Sequence, residues 1–261
     1  MDSKPLALVT GGGTGIGAAY ARALAAAGYG LILVGRREEK LRAVQGEVGG
    51  EILVADLAAE DGLRTVERRV AEAANLDFLV NNAGFGTTGT FWELPVEGQD
   101  RMHRLHVLAT MRLSHAALPA MVARDRGSIV NVSSVAAFVQ SVGMASYSAT
   151  KAWMNSFSEG LWLELKSARS GVRVQALCPG FTRSEFHDSA GLDQGAIPES
   201  LWTSAEEVVR ASLRGLSRDE PIVIPGWRYR TLVGLQRMLP RSAVHAAVRK
   251  SKNRFWTPKS Y

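Results

Sequence analysis

A tyrosine and a lysine stand four residues apart in the segment YSATK, as Tyr147 and Lys151. The segment opens a stretch with helical apolar spacing, and residues four apart lie on one face of a helix. A phenol has an ordinary pKa of about 10, so it exchanges protons poorly at neutral pH. A neighbouring ammonium favours the phenolate, and we therefore expect Lys151 to lower the pKa of Tyr147 and make it an acid–base group. The alternative is an exposed pair without a role.

A glycine-rich turn, TGGGTGIG, occupies residues 10–17, after the first predicted strand and before the first predicted helix. Glycine allows a tight turn and lets a phosphate approach the N–H groups at a helix start, where the helix dipole also favours an anion. This position predicts a dinucleotide-binding turn. A glycine-rich turn without a ligand is the competing interpretation.

The second predicted strand ends in LILVGRREEK, with no acidic residue at its tip. In dinucleotide folds a carboxylate at this place binds the adenosine ribose, whereas an arginine accommodates its 2′-phosphate. Arg36 and Arg37 follow the strand, and a guanidinium binds phosphate through a planar fork of donors. The sequence therefore favours NADP(H) over NAD(H), with Arg36 the stronger candidate because Arg37 could instead begin a helix.

Seven short apolar runs alternate with segments of helical pattern. Their hydrophobicity is continuous rather than alternating, which indicates strands buried on both faces. The chain has 261 residues, of which 46% are apolar and 21% charged, ordinary values for a globular protein. We predict an α/β fold, a Rossmann-like doubly wound, seven-stranded parallel sheet with helices on both faces, in a single domain. The predicted strands are 6–10, 31–35, 51–55, 77–81, 128–132, 172–177 and 221–225.

Composition also limits the compartment and the partners. There is one cysteine, Cys178, no run of eighteen apolar residues and no secretory signal pattern, so we expect a cytoplasmic protein. Nine of the 31 basic residues and none of the 25 acidic residues lie after residue 220. The net charge of +6 is therefore a property of the C-terminal segment rather than of the whole chain.

Five motifs in register resemble the short-chain dehydrogenase/reductase family, over about residues 5 to 225. TGGGTGIG matches that family's TGxxxGxG, NNAG (81–84) follows the fourth strand, and Ser134 in NVSS lies thirteen residues before the YxxxK motif YSATK. CPGFTRS (178–184) matches the Pro-Gly turn after the sixth strand, with Ser184 where threonine is common. The resemblance implies an oxidoreductase that moves hydride and a proton between nicotinamide and a carbonyl or alcohol.

The resemblance also implies roles for individual residues. Tyr147 would exchange the proton with the substrate oxygen, Ser134 would orient that oxygen, and Lys151 would also bind the nicotinamide ribose. Asn82 could mainly brace the sheet, and Asp56 could instead cap a helix. The implied cofactor contacts are Gly11, Thr14, Gly15, Ile16, Gly17, Arg36, Arg37, Asp56, Leu57, Asn82, Ala83, Gly84, Tyr147, Lys151, Pro179, Gly180 and Thr182.

One position departs from the family pattern. Family members commonly have asparagine in a context like LNVLAT, and this chain has His106 in RLHVLAT. The asparagine is thought to help hold a water that passes protons from the lysine to solvent. Histidine could form a substitute relay, which is the first hypothesis and makes His106 a catalytic candidate. Impaired catalysis is the second, and a buried histidine bonded to a local carbonyl is the third. His103, one turn earlier, lacks the further ligands of a metal site, so no metal is expected.

The substrate side is predicted to be apolar, which suits a hydrophobic ketone or secondary alcohol. The candidate lining is Val135, Phe138, Val139, Val142, Met144, Phe181, Phe186 and Trp202, although these residues could equally pack the loop onto the core. We divide the chain into 1–226, an NADP-binding catalytic domain that includes a substrate loop at 181–204, and 227–261, a basic helical extension packed on it. Pro240 should separate two short helices in this extension.

The predicted function is an NADP-dependent oxidoreductase. The alternative is an NADP-binding protein with weak or no dehydrogenase activity, a regulatory or partner subunit, because of His106. The resemblance implies a homodimer or homotetramer through the helices around 101–123 and 149–168. The basic tail is interpreted first as a lid or subunit arm and second as a peripheral membrane contact. Nucleic-acid binding is not expected, because no recognition motif accompanies the charge.

Overall fold

Seven parallel strands form one sheet in the order β3-β2-β1-β4-β5-β6-β7. The structure, a computed structural model, describes residues 4–184, 195 and 197–250, without the side chain of residue 250. The order reverses beside β1, so the crevice at the carboxyl ends of β1 and β4 is the usual ligand site of such a fold. The strands are β1 Leu6–Thr10, β2 Gly30–Gly35, β3 Glu51–Val54, β4 Leu76–Asn81, β5 Ser128–Val132, β6 Arg173–Leu177 and β7 Ile222–Val223.

Helices cover both faces of this sheet. On one face α1, α2 and α7 pack on a core that includes Val9, Leu33 and Val130. On the other face α3, α5 and α6 pack on a core that includes Leu8 and Ile129. The described helices are α1 Gly15–Ala26, α2 Glu38–Val48, α3 Glu60–Glu72, α4 Val96–His103, α5 Thr110–Ala123, α6 Ala145–Ser167, α7 Ala205–Ser217, α8 Trp227–Met238 and α9 Arg241–Lys250, with a π-helical segment, Arg104–Ala109, joining α4 to α5.

The predicted fold class is confirmed, and the continuous apolar runs have the predicted cause, since successive strand residues enter the two cores alternately. The largest difference lies at the seventh strand. It was expected over 221–225, but β7 is only Ile222–Val223 because Pro221 and Pro225 have no N–H to donate. The Pro221 carbonyl still accepts from Ala176 N at 2.8 Å.

The C-terminal segment contains two helices, α8 and α9, which Leu239 and Pro240 separate as predicted. Tyr229 attaches α8 to the body: its hydroxyl donates to Leu201 O (2.6 Å) and accepts from Phe181 N (3.0 Å). A side chain on Gly180 would begin 2.0 Å from the Tyr229 ring, so this turn requires glycine. Within the described residues, no helix is long and apolar enough to cross a membrane.

The start of α7 gives a test of local stability. Ser204 Oγ accepts from Glu207 N at 3.1 Å, and the Glu207 carboxylate accepts from Ser204 N at 3.0 Å, which completes a capping box. Ser204→Ala should lower the free energy of unfolding by about 1 kcal/mol in urea denaturation. Ser217→Ala, at the other end of α7, is the control and should cost less than about 0.5 kcal/mol. Equal effects would contradict the assignment.

Candidate active site

The glycine-rich turn leaves the start of α1 open to an anion. Gly11 and Gly15 have positive φ angles of 65° and 53°, and a Cβ on Gly17 would lie 2.1 Å from Gly11 O. Thr14 precedes α1 without a side-chain capping bond, and no acidic residue occupies the first turn. The first N–H groups of α1 are therefore available to a phosphate, which fits the turn to the pyrophosphate of a dinucleotide. The Ile16 side chain instead packs against the core.

A cleft extends from this turn along the ends of β2, β3 and β4. It gathers predicted residues from all three strand ends: Arg36, Arg37, Asp56, Leu57, Ala83 and Gly84. Lys40, Phe85 and Leu105 also line it and were not predicted. Arg37 is the residue before α2, as the alternative interpretation held. Arg36 is exposed and, within the described part of the chain, has no hydrogen bond or ion pair. Its guanidinium can therefore donate hydrogen bonds to a phosphate.

Asp56 does not cap a helix, because Ala59 is the residue that precedes α3. Its carboxylate accepts from Ala58 N at 3.0 Å and forms an ion pair with Arg101 at 2.7 Å. Burial alone raises the pKa of Asp56, but the hydrogen bonds from Arg101 and Ala58 outweigh it and lower the pKa. The carboxylate is therefore fixed at the cleft wall.

Asn82 braces the sheet at the switch point. Its side-chain amide donates to Thr10 O (2.9 Å) and Gly11 O (3.3 Å), so it joins the end of β4 to the glycine-rich turn. The Thr10 hydroxyl accepts from the backbone N–H groups of Asn82 and Ala83 at 2.9 and 3.0 Å. The sequence pattern did not single out Thr10.

The structure brings Ser134, Tyr147 and Lys151 together. Ser134 Oγ accepts from Ala136 N at 3.1 Å in a short 3-10 turn after β5, and its side chain is hydrogen-bonded to that of Tyr147. Lys151 Nζ lies 5.8 Å from the Tyr147 ring centroid and donates to Val132 O at 2.8 Å. Tyr147 and Lys151 are 6% and 4% exposed, so the interpretation of an exposed pair is wrong.

Burial decides the pKa of Tyr147 in this structure, and the lowering expected from Lys151 together with the positive charge of an oxidised nicotinamide stays a prediction for the complex. Burial raises the pKa of Tyr147 to about 12, and the hydrogen bond with Ser134 lowers it only in part. Burial likewise lowers the pKa of Lys151 to about 7. Desolvation therefore exceeds the attraction expected between ammonium and phenolate, and the phenol keeps its proton at neutral pH.

His106 is completely buried in the π-helical segment and is hydrogen-bonded through both ring nitrogens. Phe85 N donates to Nε2 at 3.3 Å, so Nδ1 carries the hydrogen and donates to Thr150 Oγ1 at 2.9 Å. Thr150 in turn donates to Tyr147 O at 2.8 Å. A Cβ on Gly84 would begin 2.7 Å from Nε2, which leaves glycine as the residue that fits there.

This geometry argues against the hypothesis that His106 relays protons. Burial, followed by the charges of Lys151 and His103, holds the pKa of His106 well below its usual range. A neutral imidazole whose two nitrogens are occupied has no site left for a water. The third hypothesis fits best, although the partners are an amide N–H and a hydroxyl rather than a carbonyl. His103 contacts Ser146 Oγ at 2.8 Å, and the described residues contain no group of three that could hold a metal.

The Pro-Gly turn after β6 lies against the glycine-rich turn and against the segment after β5. Pro179 O accepts from Val135 N at 3.0 Å, and Thr182 Oγ1 donates to Gly180 O at 3.1 Å. A Cβ on Gly15 would lie 2.9 Å from Ser184 Cβ, so this turn meets the glycine-rich turn. Phe181 contacts the Trp202 ring (5.8 Å between centroids), which supports a packing role for Trp202. Phe186 and part of the predicted substrate loop lie outside the described residues.

The state of His106 can be measured directly. We expect its imidazole to remain neutral, with hydrogen on Nδ1, from pH 8 down to pH 5, because burial opposes its charging. Long-range ¹H–¹⁵N correlation spectra would show the tautomer, and the His106→Asn spectrum would assign the resonance. A resonance that titrates between pH 6 and 7 would overturn the assigned network.

Comparison with known proteins identifies the family of the chain. The family model described as short chain dehydrogenase matches residues 5–195. The bovine 3-oxoacyl-[acyl-carrier-protein] reductase is 37% identical over 212 residues, which are 78% of this chain and 88% of that protein.

Solved structures agree as well. A short-chain dehydrogenase from Sphingobium yanoikuyae in complex with NADPH is 37% identical, with a TM-score of 0.80 over 95% of this chain and 98% of that one. The bulky-bulky ketone specific alcohol dehydrogenase from Comamonas testosteroni is 32% identical, with a TM-score of 0.76. The match covers 95% of this chain and 96% of that one. With the family model, these similarities place the chain in the short-chain dehydrogenase/reductase family of oxidoreductases.

Proposed function

We propose that the chain is an NADP(H)-dependent oxidoreductase that interconverts a ketone and a secondary alcohol on a hydrophobic small molecule. The observation that carries the proposal is the buried hydrogen bond between Ser134 and Tyr147 with Lys151 beside it. A bound nicotinamide supplies or accepts the hydride. The residues of the chain therefore need to position the substrate oxygen and handle one proton.

Tyr147 holds that proton. The buried phenol is protonated at neutral pH, and Lys151 with the positive charge of the oxidised nicotinamide would offset the effect of burial as the proton passes to a carbonyl oxygen. Ser134 presents a second hydroxyl at the same place and would hydrogen-bond the oxygen as charge develops on it. Lys151, when charged, stabilises the phenolate left after proton transfer.

Arg36 supports the choice of NADP(H). Arg36 lines the cleft, whereas the carboxylate of Asp56, which lines the same cleft, is bound by Arg101 and Ala58 N. The solved relative from Sphingobium is in complex with NADPH. An arginine with free donors beside an occupied carboxylate suits the 2′-phosphate better than an unmodified ribose.

Other parts of the proposal follow from the sequence and the family. The solved Comamonas relative is specific for bulky-bulky ketones, which agrees with an apolar substrate side here. We also propose a cytoplasmic homodimer or homotetramer, with residues 1–226 as the catalytic domain and 227–261 as an extension packed on it.

The alternative function is a cofactor-binding protein with weak or no turnover. His106 favours it, because a neutral and fully bonded imidazole does not replace a proton relay. An active wild type would exclude this alternative. A silent wild type beside an active His106→Asn variant would favour it.

Tyr147→Phe tests the chemistry. NADPH-dependent reduction of hydrophobic ketones should fall at least about 10²-fold, because the proton donor is lost, while NADPH binding measured by fluorescence titration should change little. Tyr29→Phe, on a half-buried tyrosine packed against Phe78, is the control and should keep full activity. Undiminished turnover in Tyr147→Phe would refute the assigned role.

Arg36→Ala tests the cofactor preference. The ratio of NADPH to NADH affinity should fall about tenfold or more, because a charge-assisted contact to the 2′-phosphate is lost. Arg42→Ala, whose guanidinium pairs with Glu38 on the exposed side of α2, is the matched control and should leave the ratio unchanged. If Arg36→Ala also leaves it unchanged, the proposed preference has another source.

A further inference from the structure

The helix α8 turns an apolar face toward solvent. Trp227 is 64% exposed and Met238 82%, and Leu232, Leu235 and Leu239 are also exposed. Positions 227, 231, 235 and 238 share one face of a helix, so Trp227, Leu235 and Met238 form a continuous surface. Tyr229 and Val233, on the other face, are buried against the body. The side of α8 that faces outward is therefore a second apolar face beside the one that attaches the helix.

The charge of the segment that carries this face is of one sign. The segment after residue 220 has nine basic residues and no acidic residue. Arg230 on α8 and Arg241 at the start of α9 are exposed. The α9 helix follows with only Val244 and Val248 half-buried among its described side chains. Apolar side chains flanked by uncompensated basic ones match the boundary between acyl chains and anionic headgroups.

A second copy of the chain fits this surface less well. In a two-fold dimer the same patch meets itself, which would bring two strongly basic segments together without an acidic residue in either. An anionic bilayer offers both a medium for the apolar side chains and the opposite charge. Long arginine side chains can also reach the headgroups from the edge of such a face.

We propose that α8 and α9 dock on the surface of an anionic phospholipid bilayer, with Trp227, Leu235 and Met238 immersed in it. The docked helix would hold the substrate side at the lipid surface: Gln236 Nε2 donates to Phe138 O at 2.8 Å, and Arg237 lies 4.9 Å from the Phe138 ring. If the proposed ketone reductase function holds, a hydrophobic substrate can enter from the bilayer. The docking itself does not depend on that function.

Flotation of the full chain with vesicles tests the proposal. The protein should float with vesicles of equal parts phosphatidylglycerol and phosphatidylcholine in 50 mM salt, and much less with phosphatidylcholine alone or in 500 mM salt. The double variant Leu235→Ser, Met238→Ser should partition about tenfold or more weakly, because it removes apolar surface from the bilayer contact. Arg230→Gln should weaken partitioning about fivefold.

Matched controls separate this surface from general basicity. Trp92→Ser removes an apolar side chain that is 82% exposed, like Met238, but lies outside α8 and α9. Arg68→Gln removes an exposed charge on α3. Both should float like the wild type. The proposal is overturned if the wild type ignores anionic vesicles at 50 mM salt, or if the double variant and Trp92→Ser float equally. It is also overturned if the double variant instead lowers the mass of an oligomer in light scattering without changing flotation.

Discussion

The hydroxyl of Thr10 joins the two strand ends that carry the cofactor side of this site. It donates to Val80 O at 3.1 Å and accepts from the N–H groups of Asn82 and Ala83, and it is 2% exposed. Each of these groups would otherwise be a buried polar group without a partner. The end of β1 and the segment after β4 are thereby held in one register. The glycine-rich turn and the NNAG segment can then line a common cleft.

Burial controls the pKa values in the other half of the site, around Tyr147. Tyr147, Lys151 and His106 are all removed from water, and desolvation is the largest cause of the pKa shift for each. The outcome is an uncharged phenol, an ammonium that loses its proton readily and an uncharged imidazole. Lys151 Nζ donates to Val132 O and to Met154 Sδ, and His106 is bonded to Phe85 N and to the Thr150 hydroxyl. Among the described residues, the hydrogen bonds of Lys151 and His106 therefore involve no carboxylate, and Lys151 is partly charged at neutral pH because burial lowers its pKa to about 7.

Local pattern in the sequence predicted the fold and most members of the site, for reasons that can be stated. Seven apolar runs identified the sheet because both of its faces are covered, and YSATK placed Tyr147 and Lys151 on one helix face. What the sequence did not provide is long-range distance and burial. Arg101 reaches Asp56 from a helix 45 residues away, which no local pattern indicates. The raising of the Tyr147 pKa by burial was missed for the same reason, since spacing along a helix says nothing about solvent.

The contact between Gly180 and Tyr229 couples parts of the chain that are far apart in sequence. The Pro-Gly turn is restricted to glycine at position 180 by an aromatic ring in α8. The C-terminal segment is consequently not an interchangeable module. In a chimera that receives the C-terminal segment of a relative, a smaller residue at position 229 would leave a void over the turn and remove the hydroxyl that accepts from Phe181 N. Grafts within this family are thus best designed with positions 180 and 229 exchanged as a pair.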